Sequence, residues 1–238
     1  MTTILITVTY PRNELDFSDG YDRFIDILKT LSRVRGVSGK WVFGPHDIFE
    51  DYEIAKRSLE EIEKSGSEQY DFYSAVTDNT KKFKDWDGLI EVHYFWGNTP
   101  NRIIIKIKEI SELTSLTFQD VLNFIEAILS WRVPLHISAG SMIYLMHHHP
   151  LSKRRLGIRW IGWLPNQIRP EDVPEAEVAQ PLHEGTLIAS QKEFWHPIPD
   201  LPGYSSDAIQ RTQDVEIRLA TLGALPEYGD ILQMREEE

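Results

Sequence analysis

The 238-residue chain contains no cysteine. That excludes disulfides, thiolate metal sites and thiol catalysis together. No run approaches the ~20 apolar residues of a membrane helix. Met1 to Pro11 has no basic stretch followed by a long apolar one, so it does not read as a secretory signal. A soluble, cytoplasmic protein without membrane contact is expected. Basic residues are also in short supply, with 25 Lys and Arg against 37 Asp and Glu, a net charge of −12. Such a surface repels nucleic-acid phosphates, so direct nucleic-acid binding is not expected. It attracts a basic partner and speeds the encounter.

The motifs of common chemistries are missing as well. There is no Gly-x-Gly-x-x-Gly, Walker loop, His-Glu-x-x-His or Gly-x-Ser-x-Gly. Nucleases of restriction-endonuclease type place an acid two residues before a lysine. None of the lysines here has one, the residues at that offset running from Ile27 and Ser38 to Leu151 and Ser190. His147-His148-His149 splay rather than converge in either regular structure, so they read as a solvated loop or basic counter-patch rather than a metal site. Glu91 and His93 share strand parity and read as a salt link. Lys153, Arg154, Arg155 and Arg159 form a basic patch expected to pair with the chain's own carboxylates or with a dimer mate. No cofactor, metal or catalytic residue is therefore assigned, and the chain is not expected to be an enzyme.

What the sequence does contain is an interspersed set of helices and strands. Thr3 to Thr9, Lys40 to Phe43, Leu89 to Phe95, Arg102 to Ile110, Leu156 to Trp163 and Gly185 to Ser190 read as strands. Gly97-Asn98-Thr99-Pro100 makes a hairpin of the third and fourth. Tyr21, Phe24, Ile25, Leu28 and Leu31 mark an amphipathic helix capped by Asp19 or Gly20. Thr117 caps a second helix carrying Phe118, Val121, Leu122, Ile125 and Leu129. Ala208, Thr212, Val215, Leu219 and Leu222 mark the last, stopped by Gly223. Ile137 to Leu145 fits strand or helix, and residues 165–181 read as a long loop. The pattern implies one α+β domain over residues 1–238, with a mostly antiparallel sheet.

Residues 44–78 read as an acidic helical segment, with ten acidic and three basic residues and a net charge of −7. Glu50, Asp51, Glu53, Glu60, Glu61 and Glu63 are the candidates there for contact with a basic partner. Of the seven tryptophans, Trp86 and Trp195 lie in polar or Pro-rich stretches and are expected to be exposed, as interface anchors.

The last third of the chain strings together Gly162-Trp163-Leu164-Pro165, Val173-Pro174-Glu175-Ala176, Gly185-Thr186-Leu187-Ile188-Ala189-Ser190 and Leu222-Gly223-Ala224-Leu225-Pro226. Over residues 155–226 this order resembles the C-terminal half of the immunity protein 52 family of bacterial polymorphic-toxin systems. Trp163, Pro174, Ala176, Gly185 and Pro226 match its pattern and read as fold determinants. The resemblance implies an immunity protein that binds and silences a cognate toxin. In that family the toxin is often a nuclease of restriction-endonuclease fold delivered by type VI secretion, so a DNase-type effector domain is the implied partner. Two other readings stand beside it. One is an enzyme with a dispersed site using His93, Glu91, His136 or His183. The other is a regulatory protein that self-associates, as a homodimer, through the hairpin edge.

Overall fold

The computed structural model describes residues 3–12, 17–34, 37, 41–42, 73–77, 88–95, 100–109 and 117–234. Among them, alternating apolar residues build nine strands: β1 (Thr3–Thr9), β2 (Trp41–Val42), β3 (Tyr73–Thr77), β4 (Gly88–Phe95), β5 (Arg102–Glu109), β6 (His136–Ser141), β7 (Ile161–Leu164), β8 (Val178–Leu182) and β9 (Gly185–Ala189). They form one sheet in the order β2-β3-β4-β5-β1-β6-β7-β9-β8. Every pairing between these strands is antiparallel. The helices are α1 (Phe17–Leu31), α2 (Phe118–Trp131), α3 (Met142–His147), α4 (Ser206–Thr221) and α5 (Tyr228–Ile231). The arrangement is α+β, as the sequence pattern implies.

One face of the sheet is aliphatic. Ile4, Ile6 and Val8 of β1, Ile103, Ile105 and Ile107 of β5, and Ile90 and Val92 of β4 are buried in one cluster with Phe24, Ile27, Leu28 and Leu31 of α1 and Val121, Ile125 and Ile128 of α2. Because strand side chains alternate, the residues between them point to the other face. There Leu164 and Ile188 pack with Val215 and Leu219 of α4 in a second cluster. Toward β1 and β6 that second face turns polar, with Thr9, His136 and Ser138 all buried.

Local chemistry sets several boundaries. Thr117 and Asp120 form a reciprocal capping box, the Asp120 N–H donating to Thr117 Oγ1 at 3.2 Å and the Thr117 N–H to Asp120 Oδ2 at 2.9 Å. Ser205 caps α4 by accepting from the Ala208 N–H at 3.1 Å, and Gly223 comes just after its end at φ 69°. Gly185 is needed for close approach, since a Cβ there would strike the Leu164 carbonyl and the Trp163 ring.

Four expectations are corrected. Helix α1 starts at Phe17, so Asp19 and Gly20 lie in its first turn and do not cap it. Tyr73–Thr77, placed within an acidic helical segment, is a strand. Residues 165–181 are not one loop, because Pro170–Asp172 form a 3₁₀ turn and Val178–Leu182 an edge strand that accommodates Pro181. The β4–β5 hairpin has no free edge for self-association, since β4 pairs with β3 and β5 with β1. The ambiguous stretch around Gly140 is both things at once: strand β6, then α3 capped by Ser141 Oγ on the Ile143 N–H at 3.2 Å.

Candidate functional site

Helix α4 is the element where polar chemistry gathers on both sides. Its inner face carries Glu216, which is fully buried. Oε2 accepts from the Tyr144 hydroxyl at 2.9 Å and lies 2.9 Å from His149 Nδ1. Oε1 accepts from the Arg159 backbone N–H at 2.9 Å. The other His149 ring nitrogen, Nε2, lies 3.1 Å from the Arg155 carbonyl. Gly157 leaves room for this cluster, as a Cβ there would fall on the Glu216 carboxylate. Burial works against protonation of His149, but the Glu216 hydrogen bond and charge and the Arg155 carbonyl outweigh it, and the ring holds its proton above the ordinary histidine range. Burial and the neighbouring Glu216 charge keep the Tyr144 phenol protonated. Gln213 adds a further tie, donating to the His148 carbonyl at 2.6 Å.

Arg159 links this cluster to the sheet. It sits at φ 63°, a conformation that side chains other than glycine rarely adopt. Its guanidinium donates to the Leu5 carbonyl at 3.2 Å and to Thr7 Oγ1 at 2.9 Å. Burial lowers its pKa to about 10, with the Glu216 charge acting in the opposite direction. His136 lies on the same face. Burial first, then the Arg159 charge, lower its pKa to about 3. Neither ring nitrogen makes a hydrogen bond of ordinary geometry, although the Gly157 backbone lies close enough to favour the proton slightly. Along the sheet, Glu91 Oε2 lies 3.4 Å from His93 Nε2 and 3.5 Å from Lys106 Nζ, the salt link anticipated for Glu91 and His93.

The outer side of α4 forms one wall of an open groove of about 540 Å³. Pro174, Glu175, Ala176 and Glu177 form the opposite wall, and Asp207, Gln210, Arg211 and Asp214 line it from α4. Four carboxylates and one arginine thus line it. Glu175 is held by Arg218 at 2.9 Å, and that hydrogen bond keeps its carboxyl below the usual range. Gln210 donates to Asp214 at 2.9 Å along the same helix.

The sequence-based candidates fare unevenly. Glu50, Asp51, Glu53, Glu60, Glu61, Glu63 and Trp86 lie outside the described residues. Trp195 is corrected: it is only 3 % exposed and packs edge-on against Tyr144 at 5.5 Å between ring centres, so it is no surface anchor. His149 is likewise no solvated loop residue. The basic patch divides as its chemistry suggests: Arg155 pairs with Glu227, Arg159 is buried, and Lys153 and Arg154 are exposed. Of the motif residues in the last third of the chain, Trp163 is buried and donates to the Leu182 carbonyl at 2.9 Å, and the Pro226 carbonyl receives the Leu156 N–H at 3.1 Å. The Glu216 cluster escaped the sequence reading because its partners lie 57 to 72 residues apart. A local trace of it is a glutamate set among the apolar positions of α4.

Among the described residues no group of three or more His, Cys, Asp or Glu could hold a metal ion, and no helix is long and apolar enough to cross a membrane. No family model matches the chain, and no curated protein matches it. Among solved structures it is similar to "Pseudomonas aeruginosa T6SS protein PA0821", with 9 % identity over 91 % of this chain and 77 % of that one and a TM-score of 0.48. A likeness that low carries no argument about function.

Proposed function

We propose that this chain is an immunity protein that neutralises a cognate secreted nuclease toxin by stoichiometric binding, without turnover. The observation that carries the reading is the acidic groove between Pro174–Glu177 and α4, which falls inside the stretch whose motifs resemble the immunity family. A nuclease needs a basic cleft to hold phosphates. Carboxylates on a fixed scaffold occupy such a cleft as phosphate surrogates, and close charge pairs across an interface couple by roughly 1.5 kcal/mol or more each. The net charge of −12 steers the encounter from a distance. The acids from Glu50 to Glu63 extend the same complementarity to a second part of the chain.

The test is growth rescue. The toxin domain encoded beside this protein is expressed in a sensitive bacterium with and without it, and a pull-down is then made. Rescue with a stable 1:1 or 2:2 complex is expected. Reversal of Glu177, Asp207 and Asp214 to lysine is expected to abolish rescue in a protein that still folds. Full rescue by that variant would move the binding face to the Glu50–Glu63 segment, and absence of both rescue and complex would refute the immunity reading.

A further inference from the structure

We propose that His149 and Glu216 form a proton-held latch: one proton between them helps to seat α4, and its loss as the pH rises loosens the helix and with it one wall of the groove. A backbone carbonyl only accepts, so His149 Nε2, 3.1 Å from the Arg155 oxygen, must carry a hydrogen. His149 Nδ1 faces Glu216 Oε2 at 2.9 Å. That contact needs a hydrogen too, whether it rides on the ring or on the carboxyl. The pair therefore holds one proton more than a neutral imidazole and a carboxylate would.

Nothing nearby replaces that proton. The Tyr144 hydroxyl and the Arg159 N–H already donate to the two carboxylate oxygens. The Arg159 guanidinium is turned away, to Leu5 and Thr7. The Arg155 side chain is engaged with Glu227, His148 stacks on Tyr144 with ring centres 6.3 Å apart, and the His136 ring, near the Gly157 backbone, is held neutral by burial and the Arg159 charge. The pair's side chains are 6 % and 0 % exposed, so solvent screens it little. Without the proton, a nitrogen lone pair and a carboxylate oxygen face each other at 2.9 Å in a dry site. Thr212, the other buried polar residue of α4, gives no such link to α3, since it bonds to Ser190 and to its own helix.

The sign comes from the raised folded-state pKa of His149. The latch's contribution is complete below the unfolded value of about 6.5. Above it the folding equilibrium weakens by roughly tenfold per pH unit until the pH passes the folded value, where the contribution is gone. A partner bound at the groove would be released over the same interval.

The test uses the intact chain and needs no partner. Side-chain nitrogen NMR is expected to show both His149 nitrogens protonated at low pH and the ring losing a proton only above 6.5. A ring that reaches neutrality at or below 6.5 overturns the latch. Amide hydrogen exchange along Thr212–Leu219, corrected for its intrinsic pH dependence, is expected to accelerate across the same titration, and unchanged protection overturns it. Denaturation of His149→Gln, whose amide donates but does not titrate, is expected to lose the alkaline limb, and a limb that persists overturns the proposal. If that variant does not fold, the first two readouts on the native chain decide.

Discussion

The two faces of the sheet differ most where β1 and β6 meet their covering helices. Against α1 and α2 the sheet presents an apolar surface, with Ile4, Ile6, Val8, Ile103, Ile105 and Ile107 nearly or fully buried. Such a surface is non-directional, and its stabilisation is spread over many contacts. On the other face, between β1, β6 and α4, the buried set includes Arg159, His136, Ser138, Thr9 and Glu216. There the energy depends on a few directed bonds, and each group is costly if its partner is lost. The first face makes a fold. The second fixes one position of one helix, and that helix borders the groove proposed to meet a partner.

The contrast is broken most severely at Glu216. Glu216→Ala removes one acceptor from His149, Tyr144 and Arg159 at once and is expected to destabilise by about 3–5 kcal/mol. That matches what a whole core side chain is worth, as Ile105→Ala in the aliphatic face is expected to cost about 2–5 kcal/mol. Chemical denaturation measures both. Repeating it across pH separates them, because only the Glu216 change should alter the pH dependence of stability.

Tyr144→Phe removes a single donor and keeps the ring packed against Trp195. It is expected to cost about 1.5–3 kcal/mol, typical of a hydrogen bond to a charged group, measured by the same denaturation. Gly185→Ala tests the packing between β7 and β9, where a Cβ meets the Leu164 backbone and the Trp163 ring. Overpacking of this kind costs about 1–3 kcal/mol, and the midpoint of thermal unfolding should fall with it.

The effect smallest at neutral pH concerns His136, which sharpens the comparison within the polar face. His149 sits between two oxygens, whereas His136 sits by a cation, so their titrations have opposite consequences. The folded His136 stays neutral down to about 3. Its share of stability is complete above the unfolded value of about 6.5 and is lost as the pH falls below it. His136→Leu should leave stability near neutral pH little changed and flatten the acid limb, as read from unfolding midpoints between pH 7 and 4.

Local pattern carried much of this architecture. Strands β1, β4, β5 and β9, the Thr117 cap and the Gly223 stop are all readable from nearest neighbours. Strand β8 was not, because Pro181 and the acids around it mimic a loop and only its position at the sheet edge makes proline acceptable. The start of α1 was missed because Asp19 and Gly20 look like a cap although the helix runs through them. Trp195 was misjudged for a related reason: its neighbours are polar and proline-rich, but Tyr144, far away in sequence, covers it. The candidate site divides the same way. Its acids in the Glu175–Glu177 stretch are visible as charge, yet a groove exists only once α4 lies across from them. The Glu216–His149 pair has no local signature beyond a glutamate on an apolar stripe and a histidine in a run of three.

The central claim, that an acidic face on this scaffold engages a basic toxin, is tested most directly by titrating the purified chain with the toxin domain encoded beside it at low and high salt. The account predicts a stoichiometric complex that weakens with added salt and is lost when Glu177, Asp207 and Asp214 are reversed to lysine. A complex indifferent to both salt and these reversals, or no complex at all, would contradict it.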